Sequence, residues 1–481
     1  MKQSILNIAL LLFTALAGTA QNSHSSNLKV SEGAPNILWI YVEDTNAWMS
    51  CYGDELVNTP NIDALAENGV QFNRAYMTSG VCSPTRSAII TGMYQTSIGA
   101  HEHYSSFSEW RGNKMEIWAP NHLGVRTLPE IFKAAGYYTF NEGKEHYNFV
   151  YQTEDLYDRS GKNGFKGAKN GTEWTGRAAD QPFFGQIQLL GGKHPNPPDV
   201  VQPNEVSVMP YYPDVDIFRE EIAHHYNTIL KLDEEVGEIR KRLEEEGLLD
   251  NTIVFFFSDH GCRLPRHKQF LYEGSIRVPL IIAGVDVESK RVRNDLVSSL
   301  DISATSLAMA GIRIPDHMHG MNLFAQGFER DYVIAARDRC DFTIDRIRTV
   351  VTERYKYIRN FMTDKPYMQP NYRSDWESMT TLKTLYEKGE LNEVQSRFPS
   401  DERPAEEFYD LIADPHETNN LVHSYQREHA LELAKHRDIL YRWIIETDDK
   451  GRFPETNEAL KAVLDRWGEK AVNQEYDRVK E

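Results

Sequence analysis

Two short apolar runs, Asn36–Val42 (NILWIYV) and residues 253–257 (IVFFF), each stop abruptly on groups that can do chemistry. Glu43-Asp44 follows the first and Ser258-Asp259-His260-Gly261 the second. Uninterrupted runs this short and this rich in Ile, Val and Phe read as strands buried on both faces, the signature of a parallel sheet. Parallel strands need crossover connections, so helices must cover both faces of that sheet and the fold class is α/β. The carboxyl ends of its strands line the ligand crevice, which makes the three acids and the imidazole candidates for one cation site. Oxygen-led donors of this kind suit calcium or magnesium.

The chain between the two runs supplies further strand ends. Thr59-Pro60-Asn61-Ile62-Asp63-Ala64-Leu65-Ala66 reads as a turn and a capped helix closed by Gly69, and residues 70–72 resume a strand that delivers Val81-Cys82-Ser83-Pro84-Thr85-Arg86. SAIITG continues as a short helix stopped at Gly92, so Cys82 falls at a helix N-terminus, where free amides favour an anion. Arg86 lies one helical turn on and can reach the same anion. A helix over 127–135 and a strand over 137–140 run into Asn141-Glu142-Gly143-Lys144-Glu145-His146. A strand over 182–190 runs into Gly191-Gly192-Lys193-His194-Pro195. Lys144, His146 and His194 therefore stand just past strand ends, and the repetition favours a site.

Residues 216–246 carry Ile222, Tyr226, Ile229, Leu232, Val236, Ile239 and Leu243 at helical spacing, with Gly247 as terminator. Arg266, His267 and Lys268 follow the second acidic strand end, and Arg277 reads as a structural partner of Glu273 one turn earlier. Residues 101–120 lack periodicity and read as a loop anchored by aromatic and imidazole groups. His101, His103 and Trp110 in it are candidates for substrate contact.

From about residue 346 the pattern changes. Residues 348–358 (RTVVTERYKYI) and 407–411 alternate as antiparallel strands, 365–404 form a long aromatic excursion with Tyr367, Tyr372 and Trp376 that is helical near 379–391, and 427–442 and 455–467 read as terminal helices. The expected division is a catalytic unit over 21–345 and a smaller C-terminal α+β unit with an antiparallel sheet over 346–481.

Residues 1–20 place Lys2 before the apolar run 5–16 and end in Gly18-Thr19-Ala20, which reads as a signal peptide. The mature chain is expected to begin near Gln21 and to be periplasmic or secreted. No later run reaches the length of a membrane span. A formal charge of −18 over 481 residues argues against a nucleic-acid binder. Cysteines at 51, 82, 262 and 340 are too few for a disulfide framework in a chain of this size.

Cys82-Ser83-Pro84-Thr85-Arg86 resembles the C-x-P-x-R signature of type I sulfatases, in which the cysteine is oxidised to formylglycine by a dedicated maturation enzyme. NILWIYVED, CYGD, TPNIDALAENG, GKEH, GGKHP, FFFSDHG, LYEGSIRVPLII and FYDLIADPHETNNL are similar to successive blocks of that family, covering residues 35 to 421. The resemblance implies an alkaline-phosphatase-like fold and a calcium ion held by Glu43, Asp44, Asp259 and His260 with the modified Cys82. It gives Arg86 and Lys144 to stabilising the formylglycine, His146 to its base chemistry, and His194 and Lys268 to the sulfate and the leaving oxygen. Glu43 stands where aspartate is usual and His260 where asparagine is frequent, variants similar to heparan N-sulfatase and to sulfatases of polysaccharide-degrading bacteria.

The chemistry agrees with that assignment. A sulfate ester demands charge neutralisation, an aligned nucleophile and help for the departing oxygen. A hydrated aldehyde offers one hydroxyl to attack sulfur and a second whose deprotonation expels sulfate, which a thiol cannot do. A sulfated oligosaccharide or polysaccharide end is the expected partner. Rival readings are N-sulfoglucosamine hydrolysis, phosphate or phosphonate monoester hydrolysis on the same scaffold, and non-catalytic carbohydrate binding.

Overall fold

The computed structural model describes residues 33–103, 124–161 and 173–480. The leader read at residues 1–20 lies outside them, as does Trp110.

Both apolar runs form central strands of one sheet. Its strands are β1 (Asn36–Val42), β2 (Gly69–Tyr76), β3 (Tyr138–Glu142), β4 (Arg159–Gly161), β5 (Phe183–Leu189), β6 (Thr252–Ser258), β7 (Arg277–Gly284), β8 (Arg291–Arg293) and β9 (Val297–Ser298). The order is β4-β3-β5-β1-β6-β7-β2-β8, with β9 also on β2. β1 is parallel to β5 and β6, Val42 standing opposite Leu189 and Ser258, so three strand ends finish level. β7 is antiparallel to both β6 and β2. The sheet is otherwise parallel among the described residues, as the buried runs require.

Alternation along the strands assigns the two faces. Ile37, Trp39 and Tyr41 with Ile253, Phe255 and Phe257 face one core, which Leu128, Phe132, Ile302 and Leu307 cover from two helices. Leu38, Ile40 and Val42 with Val254 and Phe256 face the other. That side is covered by the helix Asp216–Glu245, whose Ile229, Leu232, Val236, Ile239 and Leu243 are buried at the expected spacing. Each such side chain stabilises the layer by about 1.5–3 kcal/mol through burial, so a charge at Val236 would break this contact. Gly247 follows the helix in the left-handed region (φ 67°), which its missing Cβ permits.

A second sheet of four antiparallel strands comprises β10 (Val333–Arg337), β11 (Ile347–Val351), β12 (Tyr355–Asn360) and β13 (Glu406–Asp410). Its first strand precedes residue 346, because the stretch that reads as a meander from 348 needs a partner for β11 and takes Val333–Arg337. One face carries the helix Arg427–Glu446 through Leu433, Leu440 and Trp443. The other shares a core with the first unit, where Val333, Ile347 and Ile358 meet Phe270, Leu271 and Tyr272. Lys356, wholly buried in that seam, bridges Glu273 (2.7 Å) and Glu417 (2.9 Å). The expected pair of Arg277 with Glu273 also forms, at 3.5 Å near the surface.

Candidate active site

Five strand ends converge at one edge of the large sheet. β1 delivers Glu43 and Asp44, β6 delivers Asp259 and His260, β3 leads to Lys144 and His146, β5 leads to Lys193, and β2 leads to Cys82. Cys82 opens the helix Cys82–Thr91, all ten residues of which are buried, behind an extended Val81 and before a left-handed Gly92 (φ 66°). Pro84 is tolerated because it lies in the first turn, where its amide would have no helical partner. The loop before it is pinned by Gly80, whose carbonyl accepts from Gln269 N at 2.7 Å; a Cβ there would lie 2.2 Å from the Phe270 carbonyl oxygen.

Around Cys82 Sγ stand His260 Nε2 at 3.2 Å, Lys193 Nζ at 3.7 Å and Lys268 Nζ at 3.8 Å. The His146 imidazole lies close enough for each group to influence the other. Burial by itself pushes the thiol upward, but Lys144, Lys193 and Lys268 hold it well below its ordinary value. Arg86 donates to Asp259 Oδ2 from Nε (3.3 Å) and from Nη2 (3.1 Å), and to Gln188 Oε1 at 2.7 Å. Its guanidinium lies 4.3 Å from the centre of the Tyr41 ring.

Asp44, Cys82, Asp259 and His260 bring one ligand atom each to within 4.8 Å of one another, all four residues buried. The two carboxylates and the single imidazole fit an oxygen-preferring divalent cation, whose charge would add to that of Lys268, Lys193 and Arg86, which already pair with these buried acids. Glu43 stands apart from this group of four. Its carboxylate is engaged by Lys193, by Lys144 at 3.1 Å and by Arg86 at 3.7 Å. Burial raises Glu43, but Lys144, Arg86 and Lys193 outweigh it and bring the carboxyl down to about 2. Asp44 is likewise held low against burial by Lys268 and Lys193.

His146 adopts a left-handed backbone (φ 58°), and burial followed by the Lys144 charge lowers its imidazole to about 3. It is therefore neutral near pH 7 and able to accept a proton. His103 packs edge-to-face on it with ring centres 5.4 Å apart, and is backed by Asp341 at 3.3 Å.

His101 is directed elsewhere, beside Glu102 at 3.8 Å and within reach of Asp338 and Asp449. His194, expected at the leaving oxygen, is half-exposed; its Nδ1 accepts from Asn196 N at 3.3 Å, and it lies near His224 and Lys231. The structure sets Lys193 in the cluster instead of His194, and the two preceding glycines explain why. Gly192 N donates to the Glu43 carbonyl at 2.9 Å, and a Cβ on Gly192 would lie 2.1 Å from the Asp44 carbonyl oxygen. Only glycine allows that approach, which aims the next side chain at the acids. The Gly-Gly pair was the available signal for Lys193, and the two glutamines in β5 were the signal for Gln188 as an Arg86 acceptor.

The sulfatase family model matches residues 35–312, and the N-sulphoglucosamine sulphohydrolase C-terminal model matches residues 266–401. An ulvan-active sulfatase of Formosa agariphila is 34% identical over 480 residues, covering 90% of this chain and 78% of its own. Human N-sulphoglucosamine sulphohydrolase is 24% identical over 478 residues, covering 86% of this chain and 90% of its own. Among solved structures, that of BT4656 in complex with its substrate D-glucosamine-2-N,6-O-disulfate aligns with a TM-score of 0.64 at 19% identity, over 86% of this chain and 98% of that chain. The architecture is the alkaline-phosphatase-like one, with a mostly parallel main sheet and a separate antiparallel sheet.

Proposed function

Since the chain belongs to the sulfatase family, and is therefore a sulfuric ester hydrolase, we propose that it removes sulfate from a sulfated carbohydrate by way of a formylglycine made from Cys82. The observation that carries this reading is the position of Cys82. It is a buried side chain at a helix N-terminus, faced by two ammonium groups and two imidazoles and adjoining a carboxylate pair.

A formylglycine at position 82, in its hydrated form, would supply one hydroxyl for attack on sulfur and a second whose loss of a proton would release the sulfate. Asp44, Asp259, His260 and the modified residue would hold a calcium ion, which would supply positive charge to the bound sulfate. Arg86 fixes Asp259 and holds the approach to residue 82 positive. Neutral His146 takes the proton of the second hydroxyl. Lys193 and Lys268 face the reacting position from 3.7 and 3.8 Å and stabilise the charge that develops on the departing oxygen. The leader at residues 1–20 carries the enzyme to the periplasm or the medium, where sulfated polysaccharides are met.

An O-sulfated fragment of an ulvan-type polysaccharide is the first substrate reading, from the 34% relative. N-sulfated glucosamine is the second, favoured by the C-terminal family match over residues 266–401. The test is sulfate release from defined ulvan oligosaccharides and from N-sulfoglucosamine, with an aryl phosphonate alongside, using protein co-expressed with a cysteine-modifying enzyme. Mass spectrometry of the Cys82 peptide accompanies it. Full activity with an intact thiol, or dominant turnover of the phosphonate, defeats the proposal.

A further inference from the structure

A cavity of about 300 Å³ adjoins the catalytic cluster. Gly192 and Cys262 line it, the first one residue before Lys193 and the second two residues after His260. Arg263 and Trp376 also line it, the guanidinium 5.0 Å from the indole centre. The helix Asp216–Glu245 contributes Glu221 and His224, and His224 in turn lies near His194.

Trp376 comes from the aromatic excursion of the C-terminal unit, and Arg373 ties that excursion down. The Arg373 guanidinium donates to the carbonyl of Arg263 and to the carbonyl of Lys268, both at 2.8 Å. One buried arginine thus sets the wall of this cavity in register with a lysine that faces Cys82.

The lining chemistry is that of a sugar subsite. An indole wall gives apolar contact to a pyranose ring, while a guanidinium and a carboxylate donate to and accept from its hydroxyls. Glu221 lines the cavity under the influence of Arg263, Arg373 and Ser378, so a guanidinium and a carboxyl group both face the same space. We infer that this cavity receives the sugar residue adjoining the sulfated one, with the indole of Trp376, already flanked by the guanidinium groups of Arg263 and Arg373, as an apolar wall and with Arg263 and Glu221 as hydroxyl partners. The inference rests on the sulfated-carbohydrate reading above and adds that the substrate is at least a disaccharide.

The experiment compares wild type, Trp376→Ala, Trp376→Phe and Arg263→Ala on a sulfated disaccharide and on the matching sulfated monosaccharide. Trp376→Ala and Arg263→Ala should lower kcat/KM on the disaccharide by about tenfold or more, chiefly through KM, and leave the monosaccharide within about twofold. Trp376→Phe, which keeps an aromatic face, should recover much of the loss. Equal losses on both substrates, or none on the disaccharide, would overturn the subsite while leaving the sulfatase reading intact. Absence of sulfate release by the wild type from either sugar would overturn both.

Discussion

Lys268 donates to both carboxylate oxygens of Asp44, at 2.9 and 2.7 Å, and both side chains are shut away from water. Lys268→Ala leaves the buried Asp44 carboxylate with the more distant Lys193 (3.4 Å) as its ammonium partner, which costs up to about 3–5 kcal/mol. Bound calcium would compensate the same charge. The variant should therefore unfold well below wild type in a chelator and recover part of the difference when calcium is added, as followed by thermal unfolding. Equal stability in both media would contradict the shared role of ammonium and ion, and full activity after complete chelation would remove calcium from the reaction.

Cys82→Ala should leave the fold in place, because the residue is small and the change costs about 1 kcal/mol, while sulfate release falls to background. Circular dichroism and ion chromatography check the two halves. Residual turnover by the alanine variant would show that the nucleophile lies elsewhere.

Lys193 and His194 are neighbours with opposite expectations. Lys193→Ala removes an ammonium from beside Cys82 and Glu43, and kcat/KM should fall by about 10²–10³-fold. His194→Ala removes a half-exposed ring outside the cluster and should cost no more than about tenfold. A reversed order in steady-state kinetics would restore His194 as the residue at the leaving oxygen.

His319 gives a pH dependence of stability remote from the catalytic cluster. Its Nδ1 accepts from Tyr94 N at 3.1 Å, and burial followed by the nearby His317 lowers it from 6.5 to about 4. The unfolded chain takes up this proton first on acidification, so the contribution is whole above pH 6.5, shrinks as pH falls and is gone below about 4. It amounts to about 3 kcal/mol. In denaturant titrations between those limits His319→Gln should flatten the acid limb, and an unchanged slope would refute the assignment.

Much of the site was legible because strand ends announce themselves. Val42 to Glu43 and Ser258 to Asp259 are abrupt changes from apolar to acidic, and a parallel sheet turns such changes into spatial neighbours. Lys193 was obscured by the histidine beside it, since residue type alone favours an imidazole for proton transfer and only the packing of Gly191-Gly192 on Asp44 decides which side chain turns inward. Glu43 reads as a ligand from its place after β1. The lysines that engage it come from Lys144 and Lys193, 101 and 150 residues away, a separation that local pattern cannot span. The start of the second sheet was displaced for a related reason, because β10 acquires its meaning only from pairing with β11.

The burial of the whole helix Cys82–Thr91 bears on the order of events in the life of the chain. Residue 82 is 3% exposed beneath loops contributed by five strands, so no second protein can close around it once those strands have registered. If Cys82 is oxidised as proposed, the oxidising enzyme would have to meet it in a segment that has not yet folded. Molecules that fold ahead of that encounter would be sealed as thiols, stable and inactive, and the active fraction of any preparation would record a race between folding and modification.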